Sequence, residues 1–317
     1  MDKSFEQEFA IATGKLNQVL GDDLVNLLVE GLASEIMLNP NGLILVRYKD
    51  GEYLEHGSMS FEKAQMAIRT MASLYGENID EQRPILDGKI EVLNTRFCAV
   101  LPPICKSPVF CMRTLSALSF TLDDFIGNKF LSKRQALILI SLLENKENLI
   151  ICGQTSSGKT SFLNALLQRI AHDAPQTRFV TIEDTPELKI KSSNVVNLYT
   201  NKHTNMSDLV KASLRLSPER LIVGEVRSAE ALDMVDALST GHSGGIASIH
   251  AGSAKQCLER LRLLISRNES APENINSLIT LSINIIVVLK TIPYRHVHQI
   301  MRVTGFKDNQ FLFEELT

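Results

Sequence analysis

Apolar residues recur along the chain with two different periods. Residues 16–28 place Leu16, Val19, Leu20, Leu24, Leu27 and Leu28 at the spacing of a helix with one wet face. Two apolar runs then flank Asn39-Pro40-Asn41-Gly42 in EIMLNPNGLILVRY, which predicts a hairpin. Helical period returns over residues 60–75, with Phe61, Ala64, Ile68, Met71 and Tyr75. Residues 85–113 read as strands interrupted at Pro102-Pro103. Residues 1–118 are therefore expected to form a small mixed α/β domain.

The pattern breaks over residues 119–131, which read as a linker. Ser132 and Gln135 then form an S-x-x-Q capping box ahead of Ala136-Leu137-Ile138 and open a second domain, residues 132–317. Strands and helices alternate from there: NLIICG, a helix from Lys159, RFVTIED, NVVNLY, a helix from Ser207, RLIVGEV, a helix from Ser228, and GGIASIH. Apolar strands separated by helices predict a mainly parallel sheet buried on both faces. Helices from Ser253 and Glu273 follow, then strands near residues 283–290, 297–303 and 310–315. No internal repeat is present.

Composition changes this picture little. Apolar residues make up 44%, enough for buried cores, and 33 basic against 36 acidic residues give a net charge of −3. That balance excludes a protein that binds DNA by neutralising phosphates over its whole surface. Residues 251–307 carry a net +5, a local basic surface better read as the solvated face of a helix such as Glu259-Arg260-Leu261-Arg262. The five cysteines (98, 105, 111, 152 and 257) form no C-x-x-C pair, so free thiols are expected rather than a disulfide framework or a zinc site. The N-terminus has early acids and no apolar h-region. The most apolar run, Leu278 to Leu289, is too short to span a bilayer. A soluble chain without an export signal is expected.

The chemistry begins at Gly153-Gln154-Thr155-Ser156-Ser157-Gly158-Lys159-Thr160, a G-x-x-x-x-G-K-[ST] loop, with Ser161 following. It leaves an apolar strand and opens a helix, the context a phosphate-binding loop requires and a chance Gly/Ser-rich turn lacks. Backbone N–H groups of such a loop close on phosphate oxygens, and the helix N-terminus adds partial positive charge. Lys159 is expected on the β- and γ-phosphates and Thr160 on Mg²⁺. Glu183 and Asp184 end one strand and Glu225 another, so a parallel sheet would bring them to the same crevice. A carboxylate there can order metal-bound water or polarise an attacking water. His250 ends a further strand, after a turn containing His242, and is placed to report the γ-phosphate. An N-K-x-D base-reading motif is approached at Asn201-Lys202-His203-Thr204, but its carboxylate is missing, which disfavours a GTPase.

GQTSSGKT, TIEDTPEL, LRLSPERLIVGEVR and TGHSGGIASIHAG, in this order, resemble the Walker A, Asp, Walker B and His boxes of the secretion traffic ATPases. These are the P-loop motors of type II and type IV secretion and type IV pili. EIMLNPNG, and RFCAVLPP followed by VFCMR, narrow the resemblance to the TrbB-type ATPases of conjugative transfer. It covers roughly residues 30–290. It implies a RecA-like P-loop domain behind the mixed N-terminal one, with ATP and Mg²⁺ as cofactors. Residue by residue, it implies that Glu183 serves the metal or its water and Glu225 activates water. It also implies that His250 senses the γ-phosphate, and that Arg96 and Arg113 close onto the nucleotide as front-domain arginines. Arg215 and Arg227 are further candidates, at subunit contacts. A homo-hexamer is implied, working with secretion-channel components at the cytoplasmic face of the bacterial inner membrane. A pilus retraction motor, a DNA-handling ring without sequence-specific nucleic-acid binding, and a nucleotide-gated scaffold with slow turnover are the alternatives. Two departures stand out: the Walker B strand ends in Gly224-Glu225 without an Asp, and the tetra-Cys zinc motif of many type II secretion members is missing.

Overall fold

The computed structural model describes residues 3–48, 51–114, 120–201, 203–241 and 243–316. They divide into two compact units, Met1–Leu118 and Ser119–Thr317.

In the first unit, α1 (Lys3–Leu20) and α2 (Asp22–Val29) are separated at Gly21, whose φ of +94° ends the helical path. The single helical stripe of the sequence is thus carried by two helices, which bury Leu16, Val19, Leu20, Leu24 and Leu28. Next come β1 (Ala33–Leu38), β2 (Leu43–Tyr48), β3 (Tyr53–Ser58), α3 (Phe61–Tyr75), β4 (Ile85–Ile90), β5 (Thr95–Val100) and β6 (Val109–Thr114). Gly42 makes the β1–β2 turn possible: its φ is +84°, and a Cβ there would lie 2.6 Å from the Met59 carbonyl oxygen. The strands order as β3-β2-β1-β6-β5-β4, antiparallel throughout. Alternation sends Ile36, Val46, Phe97, Ala99, Phe110 and Met112 into a core shared with the three helices. It leaves Arg96 and Arg113 on the opposite face, directly across from each other in the β5–β6 ladder.

The second unit starts with α4 (Leu122–Gly127) and α5 (Lys133–Glu144). Part of the stretch that reads as linker therefore belongs to this unit, where Leu122, Phe125, Phe130 and Leu131 are buried. The capping box before α5 forms, with Gln135 N donating to Ser132 Oγ at 3.1 Å and Ser132 N to Gln135 Oε1 at 3.0 Å. There follow β7 (Leu149–Gly153), α6 (Lys159–Asp173), β8 (Phe179–Glu183), β9 (Val195–Tyr199), α7 (Met206–Ser213), β10 (Arg220–Val226), α8 (Glu230–Ser239) and β11 (Ile246–His250). The unit closes with α9 (Ala254–Ile265), α10 (Ile275–Ser282), β12 (Ile285–Lys290), β13 (His296–Lys307) and β14 (Gln310–Glu315). The sheet order is β14-β13-β12-β7-β11-β10-β8-β9. It is parallel from β12 to β9 and antiparallel along β12, β13 and β14. Two cores sandwich it: Ile150, Cys152, Val223 and Ile249 point into one, and Leu149, Ile151, Phe162 and Phe179 into the other. The mixed α/β architecture with a mainly parallel sheet is the one the periodicity predicts.

Candidate functional site

Parallel strands end at one edge of a sheet, and there the chemistry collects. β7 runs into the glycine-rich loop, and His250 at the end of β11 stands in register with Gly153. One strand further is β10, whose pairing with β11 is irregular between Val223 and Val226. Glu225 lies inside that irregularity, the kind of local bulge that re-aims a side chain beside a site. Glu183 ends the next strand, β8.

The loop closes tightly. A Cβ on Gly153 would collide with Ser157 Oγ, and Gly158 holds a φ of +93° as the residue before α6. Gln154 and Thr155 are exposed, Ser156 and Thr160 half-buried, Ser161 likewise, and Ser157 is buried. Lys159 is only 7% exposed. Its ammonium donates to the carbonyls of Gly153 at 3.2 Å and Gln154 at 3.3 Å, and meets His250 Nδ1 at 3.2 Å. On the other side of the ring, His250 Nε2 lies 2.8 Å from Glu225 Oε1.

These partners assign the imidazole. An ammonium can only donate, so Nδ1 accepts from Lys159, while Nε2 lies at contact distance from Glu225 Oε1 without a formed hydrogen bond between them. A neutral ring with its hydrogen on Nε2 fits this arrangement. Burial, helped by the charge of Lys159, lowers the His250 pKa against the opposing pull of Glu225. Burial alone would raise the Glu225 pKa. The hydrogen bond and charge of Arg227, with His250 and Lys159, outweigh it and hold the carboxyl below its ordinary value. Glu225 is therefore an anion across the neutral range, linked through His250 to the loop lysine.

Glu183 is 4% exposed, and its Oε1 accepts from the backbone N–H of Glu187 and of Leu188, both at 2.9 Å. The side chain thereby fixes the TPEL turn as well as its own orientation. Gly224 of the Walker B strand lies against it: a Cβ there would come to 3.0 Å from Glu183 Cγ, a tight contact to which the glutamate would have to yield. Thr160, Glu183, Asp184 and Glu225 bring oxygen atoms to this edge, but among the described residues no three His, Cys, Asp or Glu side chains are gathered so as to hold a metal ion.

The turn before β11 owes its glycines to packing. Arg220, buried at the start of β10, donates from NH1 to the Gly244 carbonyl at 3.1 Å and from NH2 to the Leu143 carbonyl at 2.5 Å. A Cβ on Gly244, whose φ is +80°, would lie 2.6 Å from Arg220 NH1. Gly244→Ala is expected to cost about 2–4 kcal/mol from left-handed strain and overpacking, measured as a lower urea midpoint. His242, in the same turn, lies outside the described residues. Cys152 beneath the loop is a core residue in contact with Cys257, whose thiol burial drives well up.

Arg227, read from the sequence as a candidate for a subunit contact, reaches into the site: NH2 lies 2.7 Å from Glu225 Oε2 and NH1 3.3 Å from Asp184 Oδ2. Its spacing two residues beyond Glu225 is the signal that could have shown this. Arg215 is exposed in the turn after α7. Arg96 and Arg113 belong to the first unit. There Lys89, Arg96 and Arg113 stand opposite one another on adjacent strands, with Glu35 next in the row.

A G-x-x-x-x-G-K-T loop that joins a strand to a helix at the edge of a mainly parallel sheet is the architecture of a RecA-like P-loop domain. Similarity to known proteins narrows that class. The chain belongs to the Type II/IV secretion system protein family, whose pattern matches residues 12–304. It is 33% identical over 301 residues to the conjugal transfer protein TrbB of Rhizobium radiobacter, covering 95% of this chain and 93% of that one. The probable conjugal transfer protein TrbB of Sinorhizobium fredii is 34% identical over 301 residues, 95% of this chain and 92% of its own. VirB11, a type IV secretion system protein of Bartonella henselae, is 27% identical over 304 residues, with 81% and 84% covered. Among solved structures, the pilus retraction motor PilT with bound ADP shares the fold at a TM-score of 0.60 and 18% identity, covering 92% of this chain and 81% of that one. The ATPase DotB of Legionella pneumophila shares it at 0.58 and 19%, covering 90% and 77%.

Proposed function

We propose that this chain is a Mg²⁺-dependent ATPase that assembles as a hexameric ring. It would power conjugative transfer or type IV secretion at the cytoplasmic face of the bacterial inner membrane, alongside channel components. The observation that carries the catalytic part is the Lys159–His250–Glu225 chain. Phosphate oxygens are stronger acceptors for Lys159 than the two loop carbonyls it now holds, so the arriving γ-phosphate draws the ammonium away. His250 then loses its donor on Nδ1, and that nitrogen donates to a phosphate oxygen once it takes up a proton. Glu225, already ionised, accepts a proton from the attacking water. Gly153 to Thr160, with Ser161, cradle the phosphates. Thr160 and Glu183 would hold Mg²⁺, which when bound offsets phosphate charge.

Arg96 and Arg113 are the arginines proposed to engage the nucleotide from the first unit. Lys89, Arg96 and Arg113 stand directly opposite one another, with Lys89 paired to Glu91 at 2.7 Å and Glu35 across from Arg113, and a guanidinium offers forked donors that suit phosphate. Among the described residues no helix is long and apolar enough to cross a membrane, in keeping with a peripheral position.

Light scattering on the full chain, with and without Mg²⁺ and a non-hydrolysable ATP analogue, tests the ring. The expected particle is about six chain masses with nucleotide present. A monomer under both conditions overturns the ring and leaves a P-loop ATPase without it.

A further inference from the structure

The site contains a cation that the sequence offers only as a candidate for a subunit contact. Arg227 follows β10 directly, and its own backbone is fixed: Arg227 N and Ser228 N both donate to one carboxylate oxygen of buried Glu230, at 2.5 and 2.8 Å. From that fixed base the guanidinium spans two strand ends. NH2 reaches Glu225 Oε2 at 2.7 Å, and NH1 reaches Asp184 Oδ2 at 3.3 Å. The far oxygen of Asp184 accepts from Thr200 Oγ1 at 3.1 Å. The order across the crevice is therefore Thr200, Asp184, Arg227, Glu225, His250, Lys159.

We propose that Arg227 is the positioning residue of the hydrolytic glutamate. It seizes Oε2, so that Glu225 presents Oε1, the edge shared with His250, toward the phosphate loop. The proposal rests on the ATPase reading with Glu225 as base. Three features favour positioning over a plain surface ion pair. The fork is divided between two carboxylates on neighbouring strands, so its direction is set from both ends. Asp184 is itself tied to Thr200, so the outer end of the fork does not swing freely. Without the guanidinium, Asp184 and Glu225 would be neighbouring anions, with a neutral imidazole between Glu225 and the Lys159 charge. The carboxylate would then be free to rotate away from the loop. A base misdirected by an ångström loses rate without losing substrate affinity.

The test compares Arg227→Ala and Arg227→Lys with the full-length parent in steady-state ATP hydrolysis. Arg227→Ala is expected to lower kcat by about 10- to 100-fold while KM for ATP stays within about twofold. Arg227→Lys restores the charge but offers one compact ammonium that cannot hold both carboxylates, so its kcat is expected between the two. Full recovery by lysine would show that charge alone matters and overturn positioning. An unchanged kcat, or a loss expressed only in KM or in thermal midpoint, overturns it as well. A readout independent of turnover accompanies these assays: the ¹³C titration of the Glu225 carboxyl, which faces Arg227, His250 and Lys159, in parent and Arg227→Ala. It is expected to move to higher pH in the variant, and no movement overturns the contact. If the parent hydrolyses no ATP, the ATPase reading fails on its own. The titration then still decides whether Arg227 holds Glu225.

Discussion

Lys159→Ala is expected to abolish nucleotide binding, with affinity for a fluorescent ATP analogue falling by about 100-fold or more. The reason lies in how the side chain is stored. Its ammonium is buried among two loop carbonyls and one imidazole nitrogen, all acceptors. No other lysine or arginine lies in the loop or the first turn of α6, so alanine leaves an anion site with backbone donors alone. Folding should survive, because the Lys159 ammonium serves the loop and His250, and α6 keeps Phe162, Leu163 and Leu166 in the core. Lys159→Arg is the sharper control. Its charge is retained, but a planar fork does not fit a slot shaped by two carbonyls and a ring nitrogen, and binding should still fall. Equilibrium titration of either variant with binding near the parent's would remove the loop from the nucleotide site.

Much of the site was legible because it is local or periodic. The loop is one contiguous segment between a strand and a helix, and both neighbours announce themselves by apolar period. Glu183, Glu225 and His250 each end a strand, and parallel pairing brings strand ends together whatever lies between them in sequence. What remained hidden depends on contacts distant along the chain. Arg220 binds the carbonyl of Leu143, 77 residues away, and nothing in RLIVGEV shows that its first residue is buried. Gly224 looks like a lost aspartate, and nothing in the sequence shows how closely Glu183 of the next strand packs against it. The helix α4 has two buried apolar residues in six and falls in a stretch that breaks the strand pattern, too short a signal for periodicity. β3 has the opposite difficulty: its residues are almost all exposed, so no alternation marks it. Arg96 and Arg113 read from pattern as ordinary outer-face residues of a strand pair. The resemblance to the TrbB-type ATPases singled them out, and the register adds that they stand side by side.

Glu225→Gln should separate binding from chemistry. The substitution is nearly isosteric, so the loop, Lys159 and the sheet are left in place, and affinity for ATP is expected to change by less than about threefold. Turnover is expected to fall by about 10²–10⁴-fold, the usual range for loss of a general base. The network predicts a second consequence. A carboxylate accepts from Arg227 on one oxygen and faces His250 Nε2 at 2.8 Å with the other, whereas an amide has only one oxygen to offer. If that oxygen turns to Arg227, the amide NH₂ faces His250 Nε2 and drives the ring to the opposite tautomer. Nδ1 would then carry a hydrogen toward the Lys159 ammonium, and the link from loop to base would break. If the oxygen turns to His250, the NH₂ opposes the guanidinium and the hold on the outer edge is lost. Either way the variant gives up one of the two contacts, and ¹⁵N shifts of the His250 ring distinguish the cases. Phosphate release at the parent's rate would place the base elsewhere and reduce the Lys159–His250–Glu225 chain to a structural contact.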